Sequence, residues 1–210
     1  MDIRQSYNEW SSSYDSVLNK TRDLEFKVQE SILTHMRFNH IIELGCGTGK
    51  NTLLLLKLCN YLTAVDFSEK MIHLAKLKLP PNRVEFILRD ITKDWVISKK
   101  ADLISCSLIL EHIEDIDSIF KKANMQLNSD GHLYIGELHP YKQNKGSKAR
   151  FQKNGKEIEV NGFVHQVSDY LEVAKNNSFE LLDIKEGIDD ETDDVRIIAF
   201  LFRKKERHSH

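Results

Sequence analysis

IIELGCGTG, residues 41–49, is an apolar run that ends in three alternating glycines, and the segment NTLLLL follows it at residues 51–56. This pattern predicts a buried strand that turns sharply into a helix. Glycines permit positive φ angles and close approach of a ligand, and a helix N-terminus presents unpaired N–H groups and a positive dipole end. The stretch therefore predicts a nucleotide-type binding turn.

The glycine spacing discriminates between nucleotide-binding motifs. A dinucleotide fingerprint needs G-x-G-x-x-G, and Lys50 stands where its third glycine would fall. A P-loop is also excluded, because no Gly-Lys-Ser/Thr follows at the required distance. What remains is an acid followed by G-x-G-x-G, at Glu43, Gly45, Gly47 and Gly49. This arrangement resembles motif I of the class I S-adenosylmethionine-dependent methyltransferases.

Composition narrows the class of protein. The 210 residues fit one domain with a sizeable core. Lys and Arg number 30 and Asp and Glu 32, a net charge of −2 that gives no general attraction to nucleic acid or anionic membranes. No apolar run approaches the roughly 20 residues of a membrane span, and the N-terminus has no signal-peptide core. The three cysteines are scattered and do not form a metal-binding pattern. We therefore expect a cytoplasmic protein without a metal site.

Two further acids follow predicted strands. Asp66 ends the apolar run YLTAVD, about 20 residues after Gly45, where an acid at the tip of a second strand accepts both ribose hydroxyls. Asp90 lies at the end of the run VEFILRDI. The resemblance implies that Asp90 binds the adenine amino group and that Ile91 donates a backbone N–H to the base. A helix N-cap is the alternative role of Asp90.

The resemblance implies further contacts to the cofactor. A step like D-x-S-x-x-M follows Asp66, so Phe67 and Met71 are expected to contact the adenosine, with core packing as the alternative for Met71. The stretch ADLISCSLILEHIED, residues 101–115, is similar to a family segment in which Ser107 and Leu108 would lie beside the cofactor sulfur. The same segment implies that Glu111 and His112 start the next helix, and we interpret His112 as structural.

The N-terminal segment predicts two helices. The first begins near Ser6, with Glu9 completing a capping box, and carries several aromatic residues. The segment YNEWSSSYD resembles the entry segment of many small-molecule methyltransferases, in which a tyrosine closes on the cofactor, so Tyr14 is a candidate flap. The second helix places apolar residues at four-residue steps, from Leu24 to Met36, which predicts core packing.

The C-terminal half predicts a helix over residues 116–127, a turn at NSDG, a fifth strand, a lysine-rich arm and two final strands. An insertion after the fifth strand overhangs the ligand crevice of an open α/β sheet, so the arm is expected to set substrate selectivity. Most of its lysines are interpreted as solvated. The acidic loop at residues 189–194 lacks the spacing of a calcium loop, and the tail, residues 203–210, is expected to fray.

Two histidines are candidates for a general base, because histidine titrates near neutrality. His139 follows the predicted fifth strand by two residues and is the first candidate, since the strand fixes its position. His165 precedes the helix after the arm and is the second. Tyr141 is the alternative group for positioning the acceptor. A structural or surface role is the alternative for both histidines.

The layout as a whole resembles that of the class I methyltransferases. It implies an α/β, Rossmann-like fold with a seven-stranded, mostly parallel sheet, helices on both faces, strand order 3-2-1-4-5-7-6 and an antiparallel strand seven. We expect one domain over residues 1–210, with an N-terminal helical lid at residues 1–38 and a substrate-side arm at residues 138–167.

The function implied is transfer of the methyl group of S-adenosylmethionine, with S-adenosylhomocysteine as product, by in-line displacement. The charge balance favours a small-molecule or short-peptide acceptor over nucleic acid. Three alternatives stay open: a methyltransferase acting on tRNA or other RNA, a nicotinamide oxidoreductase, and an inactive cofactor-binding partner subunit.

Overall fold

The computed structural model describes residues 3–93, 95, 97–153 and 155–206. Strands and helices alternate through the first two thirds of the chain, and a hairpin, a helix and two long strands follow. In chain order the elements are α1 Ile3–Trp10, α2 Lys20–Leu33, β1 Phe38–Leu44, α3 Lys50–Leu55, β2 Cys59–Asp66, α4 Glu69–Lys78, β3 Val84–Leu88, β4 Ala101–Ser107, a 3-10 helix Leu110–His112, α5 Ile116–Gln126, β5 Leu127–Leu138, α6 Pro140–Asn144, β6 Arg150–Lys153, β7 Lys156–Glu159, α7 Val167–Asn176, β8 Phe179–Asp189 and β9 Asp194–Lys204.

The central sheet has seven strands in the order β3-β2-β1-β4-β5-β9-β8. Neighbouring strands from β3 to β5 run parallel, whereas β9 runs antiparallel to both β5 and β8. The arm contributes the separate hairpin β6–β7, and the predicted order 3-2-1-4-5-7-6 is confirmed once that hairpin is left out of the numbering. This topology brings the carboxyl ends of β1, β2 and β4 to one edge of the sheet.

Both faces of the sheet are buried. Consecutive strand residues point to opposite faces, so Ile41 and Ile42 enter two different clusters although both are fully buried. The cluster around Ile42 holds the α5 and α7 side, including Phe120 and Phe179, and the cluster around Ile41 holds the α2 side, including Val28. Burying a side chain of this size stabilises the fold by about 1.5–3 kcal/mol. These two clusters hold the strand tips in place.

Helix α1 begins earlier than the sequence predicts. It starts at Ile3, and Ser6 is buried inside the helix, so the capping box between Ser6 and Glu9 is wrong. Ile3 and Tyr7 pack against a cluster around Trp10, and this tertiary contact supports the extra N-terminal turn. The predicted core role of the apolar steps from Leu24 to Met36 is confirmed, since they pack in the α2-side cluster, although the helix ends at Leu33 and Met36 lies beyond it.

Two turns also differ from prediction. The NSDG segment, residues 128–131, is a bulge in β5, between the Ala101–Leu127 and Leu103–His132 pairs. The pair Glu111-His112 lies in the 3-10 helix, and the next helix begins at Ile116 with Asp115 as its N-cap. At the C-terminus, β9 includes residues 203 and 204, so these do not fray, and residues 207–210 lie outside the described part of the chain.

Within the described ranges, no helix combines the length and the apolar composition that crossing a membrane requires.

Candidate functional site

The glycine turn after β1 has the backbone that its sequence predicts. Gly45, Gly47 and Gly49 have φ angles of 74°, 53° and 86°. A Cβ at Gly45 would lie 2.3 Å from Cγ2 of Ile109, in the loop after β4. Both the positive φ and the missing space therefore require glycine at position 45. The turn leads directly into α3, whose N-terminal cap is Gly49.

A cavity of about 480 Å³ lies at the carboxyl ends of β1, β2 and β4. Its volume falls in the range of small-molecule and cofactor sites. Helix α1 and the segment after β3 complete its walls. The predicted cofactor-binding residues that line it are Tyr14, Gly45, Gly47, Asp66, Phe67, Asp90, Ile91, Ser107 and Leu108.

Asp66 ends β2 and points its carboxylate into this edge. Its Oδ2 accepts the backbone N–H of Gly47 at 2.8 Å, and its Oδ1 accepts the N–H of Ser68 at 2.8 Å. Burial raises the pKa of Asp66 to about 6, although the backbone N–H groups of Ser68, Gly47 and Phe67 oppose the shift. A carboxylate oxygen can accept more than one hydrogen bond, so Asp66 can still accept a hydroxyl donor from the cavity.

Asp90 and Ile91 line the cavity beyond the end of β3. The Oδ1 of Asp90 accepts both the N–H and the hydroxyl of Thr92, at 2.9 and 2.7 Å. Asp90 thus shapes its own loop and faces the cavity at the same time. The strand ends at Leu88, two residues before the predicted acid.

Two predicted cofactor residues lie outside the large cavity. Met71 is 1% exposed and occupies its alternative place in the core. Glu43 is buried, and its Oε2 accepts the hydroxyl of Thr52 at 2.5 Å. Burial raises the pKa of Glu43 to about 8, so the group is mostly neutral at pH 7. Glu43 borders a second, smaller cavity of about 60 Å³, which shares Gly45 and Ser107 with the large one.

Charged residues of α2 reach this smaller cavity, and the sequence analysis missed them. Arg22 and Glu25 line it, together with Asn51 of α3. The Arg22 guanidinium lies 4.0 Å from the centroid of the Tyr14 ring. Glu25 is 1% exposed and accepts bonds from the Asn51 amide at 2.7 Å and the Tyr134 hydroxyl at 3.0 Å. Burial raises the pKa of Glu25 to about 6. The sequence does carry a signal for this pair: Arg22 and Glu25 are three residues apart, so they lie on the same face of α2.

Helix α1 and the hairpin β6–β7 pack together, and we call this unit the cover. The Trp10 and Phe151 rings stack with centroids 5.5 Å apart and planes at 17°, and Val160 is buried beside them. Tyr7 of α1 lines the large cavity below this contact. The arm is therefore joined to the N-terminal helix rather than free in solvent. One of its lysines, Lys142, is buried as well and forms an ion pair with Asp194.

The three predicted catalytic residues lie outside the cavity lining. His139 is the N-cap of α6: its Nδ1 accepts the N–H of Tyr141 at 3.1 Å, and its Nε2 lies 3.4 Å from a Glu186 oxygen. Burial lowers the pKa of His139. The Nε2 of His165 lies 2.8 Å from the carbonyl oxygen of Ile113. The hydroxyl of Tyr141 points to Asp194, at 3.4 Å. These contacts are structural and do not support the base role expected from sequence.

His112, interpreted as structural from its sequence, does line the large cavity. Its Nε2 lies 2.8 Å from the hydroxyl of Tyr7, an aromatic residue of α1. Among the described residues, no group of three or more His, Cys, Asp or Glu side chains is arranged to hold a metal ion.

Comparisons with known proteins agree on one domain type. Residues 42–135 match the family described as a methyltransferase domain. A malonyl-[acyl-carrier protein] O-methyltransferase of Priestia megaterium is 32% identical over 136 residues, which cover 62% of this chain and 49% of that protein. A ubiquinone biosynthesis O-methyltransferase of Pelagibacter ubique is 25% identical over 122 residues, 58% of this chain and 50% of that protein. The chain thus spans about half the length of these curated relatives.

A solved structure extends the likeness to nearly the whole chain. N-methyltransferase NodS of Bradyrhizobium japonicum, in complex with S-adenosyl-L-homocysteine, matches with a TM-score of 0.75 over 98% of this chain and 100% of that one. The sequence identity is 17%, so this likeness shows the fold alone.

Proposed function

We propose that the chain is a class I S-adenosylmethionine-dependent methyltransferase, and that it transfers the cofactor methyl group to a small-molecule or short-peptide acceptor. One observation carries the proposal. The positive-φ turn at Gly45 and the paired N–H groups around Asp66 meet at the carboxyl edge of the sheet, beside a cavity of about 480 Å³. Open α/β sheets bind their ligands at this edge.

The residues at this edge fit the cofactor. In this assignment Asp66 would accept hydrogen bonds from the ribose hydroxyls, and Asp90 and Ile91 would bind the adenine amino group and a ring nitrogen. The Phe67 ring, which lines the same cavity, would cover one side of the base. Gly45 brings backbone within reach of the ligand because a Cβ has no room there. Ser107 and Leu108 are assigned to the sulfur side of the cavity.

The smaller cavity is assigned to the amino-acid end of the cofactor. That end carries one carboxylate and one ammonium group, which need opposite partners. Arg22 supplies a cation, and Glu25 and Glu43 supply carboxyl groups around the same space. An ammonium group placed between them would favour their ionised forms, against the effect of burial. Asn51 would then hold Glu25 in position through the 2.7 Å bond.

The acceptor is small for two reasons. Cofactor and acceptor would share one cavity of about 480 Å³, and α1, which packs on the hairpin through the stacked Trp10 and Phe151 rings, forms one of its walls. The net charge of −2 gives no general attraction to nucleic acid. Because the sulfonium is a good leaving group, the protein mainly has to align acceptor, methyl and sulfur and exclude water, which can supply several kcal/mol of the barrier. The free, buried cysteines support a cytoplasmic location, because an odd number of unpaired cysteines fits a reducing compartment.

Calorimetry tests the cofactor assignment. S-adenosylhomocysteine should bind and NAD should not. Asp66→Ala should lose roughly 1–3 kcal/mol of binding, because the ribose hydroxyls lose their acceptor in a largely dry site. Asp102→Ala is the matched control: this carboxylate also accepts two backbone N–H groups, of Asn39 and His40, but lies at the start of β4. Wild-type affinity in Asp66→Ala, or tight NAD binding alone, would overturn the assignment.

A screen with labelled cofactor tests the acceptor. Extract metabolites and short peptides should take up label, which also excludes an inactive partner subunit. Filter binding to bulk RNA at moderate salt is the second arm, and we expect no saturable binding. Labelled RNA without labelled small molecules would contradict the proposed acceptor class.

A further inference from the structure

His112 faces the large cavity from the 3-10 helix after β4, the strand whose tip holds Ser107. Both ring nitrogens have partners. Nδ1 lies 3.2 Å from the carbonyl oxygen of Asn161, and Nε2 lies 2.8 Å from the hydroxyl of Tyr7. The His112 side chain is 10% exposed, so the ring is held in a fixed orientation. Tyr7 lines the same cavity from α1.

These partners decide which nitrogen carries the proton. A backbone carbonyl can only accept, so the 3.2 Å contact to Asn161 requires a hydrogen on Nδ1. In the neutral ring, Nε2 is then an unprotonated acceptor, and it takes the hydrogen of the Tyr7 hydroxyl. Burial raises the pKa of Tyr7 well above its ordinary value, which keeps this hydroxyl protonated. The pair is therefore a phenol aimed at a basic nitrogen, at the wall of the cavity.

Several titratable groups surround the pair. Glu111 lies on the same 3-10 helix, with Oε1 3.9 Å from the Nε2 of His112. The pKa of Tyr7 is also raised electrostatically by groups on other elements, namely Glu137 of β5, Asp66 of β2 and Tyr14. Burial raises the pKa of Glu111, and the neighbouring His112 opposes this shift. A proton that arrives at Nε2 gives the His112 ring a positive charge. The Glu111 carboxylate would stabilise this charge and so help His112 to act as a base.

We propose that Tyr7 and His112 form the acceptor-side base of the methyl transfer, which narrows the proposed acceptor to molecules that carry a weakly acidic O–H or N–H. The bond from acceptor to methyl forms as the bond from methyl to sulfur breaks. The acceptor proton passes to the Tyr7 oxygen, and the Tyr7 proton passes to Nε2 of His112, which later releases it to water. A carboxylate acceptor has no such proton and needs no base. This inference rests on the proposed function.

Turnover with defined probes tests the pair. The probes are a catechol, a primary amine and a malonyl thioester, with wild type, His112→Asn and Tyr7→Phe. On the catechol or amine, His112→Asn should lower kcat by about 10²-fold or more and remove the acidic limb of the pH profile, with affinity for S-adenosylhomocysteine unchanged. Tyr7→Phe should lower kcat in the same direction. His165→Asn is the matched control, a histidine that also contacts a backbone carbonyl but lies outside the cavity.

A second readout needs no acceptor. Nitrogen NMR of the imidazole ring, with S-adenosylhomocysteine bound, should show His112 protonated at Nδ1 and not at Nε2 near neutral pH, and Tyr7→Phe should shift the Nε2 signal. A ring protonated at Nε2, or His112→Asn turnover like wild type with an unchanged pH limb, would overturn the base. Transfer to the malonyl thioester alone, unaffected by His112→Asn, would overturn it too. If wild type binds the cofactor product but methylates no small acceptor, the proposed function fails, and the NMR result still decides the pair.

Discussion

The floor of the cavity and the cover, of which only α1 lines the cavity, are built in different ways. The floor, formed by the tips of β1, β2 and β4, depends on backbone: a positive φ at Gly45 and two N–H groups directed at Asp66. The cover depends on side chains that lie far apart in the chain, since Trp10 of α1 stacks on Phe151 of the hairpin. A backbone floor suits a ligand shared by many enzymes, whereas individual aromatic residues can change with the acceptor. Selectivity for the acceptor is therefore expected in the cover.

The sharpest test of the floor is Gly45→Ala. The new Cβ would have to displace Ile109, and position 45 has a φ of 74° that alanine rarely adopts. We expect cofactor affinity to fall by about 10²-fold or more, as measured by calorimetry, since backbone strain and a shifted loop add to the lost fit. Gly155→Ala in the hairpin turn is the matched control, with the same φ of 74° and open space around it. Equal losses of cofactor affinity in both variants would show that the turn at Gly45 has no specific role in binding the cofactor.

The second test of the floor is its pH dependence. The Asp66 carboxyl has a pKa of about 6, against 3.8 for the unperturbed group, and ribose hydroxyls favour its ionised form. As pH falls below 6 the carboxyl takes up a proton, so affinity for S-adenosylhomocysteine should weaken by about tenfold per pH unit. The stability of the free protein should change in the opposite direction: it should fall as pH rises from about 4 to 6, because the unfolded chain loses this proton near pH 4 whereas the buried carboxyl keeps it up to about pH 6. Asp66→Asn should bind weakly with this pH dependence lost.

The cover is tested by a double-mutant cycle between Trp10 and Phe151. The stacked rings should couple by about 0.5–1.5 kcal/mol in the free energy of unfolding, measured with denaturant. Each single alanine variant should also make the arm more sensitive to protease, while weakening cofactor binding less than Asp66→Ala does. Additive effects would mean that α1 and the hairpin do not close as one unit.

The smallest effect is expected for the charges of the arm. Lys148 and Glu159 form an exposed pair at 3.1 Å, and solvent screening leaves such pairs little net effect on stability. Lys148→Gln should leave both the unfolding free energy and turnover nearly unchanged. A large loss of turnover would instead assign the arm's charge to acceptor binding, and so move selectivity from the aromatic residues to the lysine.

The difference between floor and cover also explains what could be predicted from sequence. Glycine spacing and the acid about 20 residues later report local geometry, so residue type and distance alone are enough to predict roles for Gly45 and Asp66. His112 could not be assigned, because its role depends on Tyr7, more than a hundred residues away, and on a carbonyl of the arm. The sequence favours His139 because a strand fixes its position, but α6 begins at the next residue, Pro140, and His139 is its N-cap.

The place of β9 in the sheet has a consequence for how the protein is made. β9 pairs with both β5 and β8, although it follows them in the chain. Until the ribosome has released residues 194–204, β5 keeps one edge unpaired, and an open strand edge of a partly made chain is a site for aggregation. All strands of the cofactor floor are synthesised well before that moment. We therefore expect the nascent protein to depend most on protection by chaperones while the segment between β5 and β9 is being synthesised.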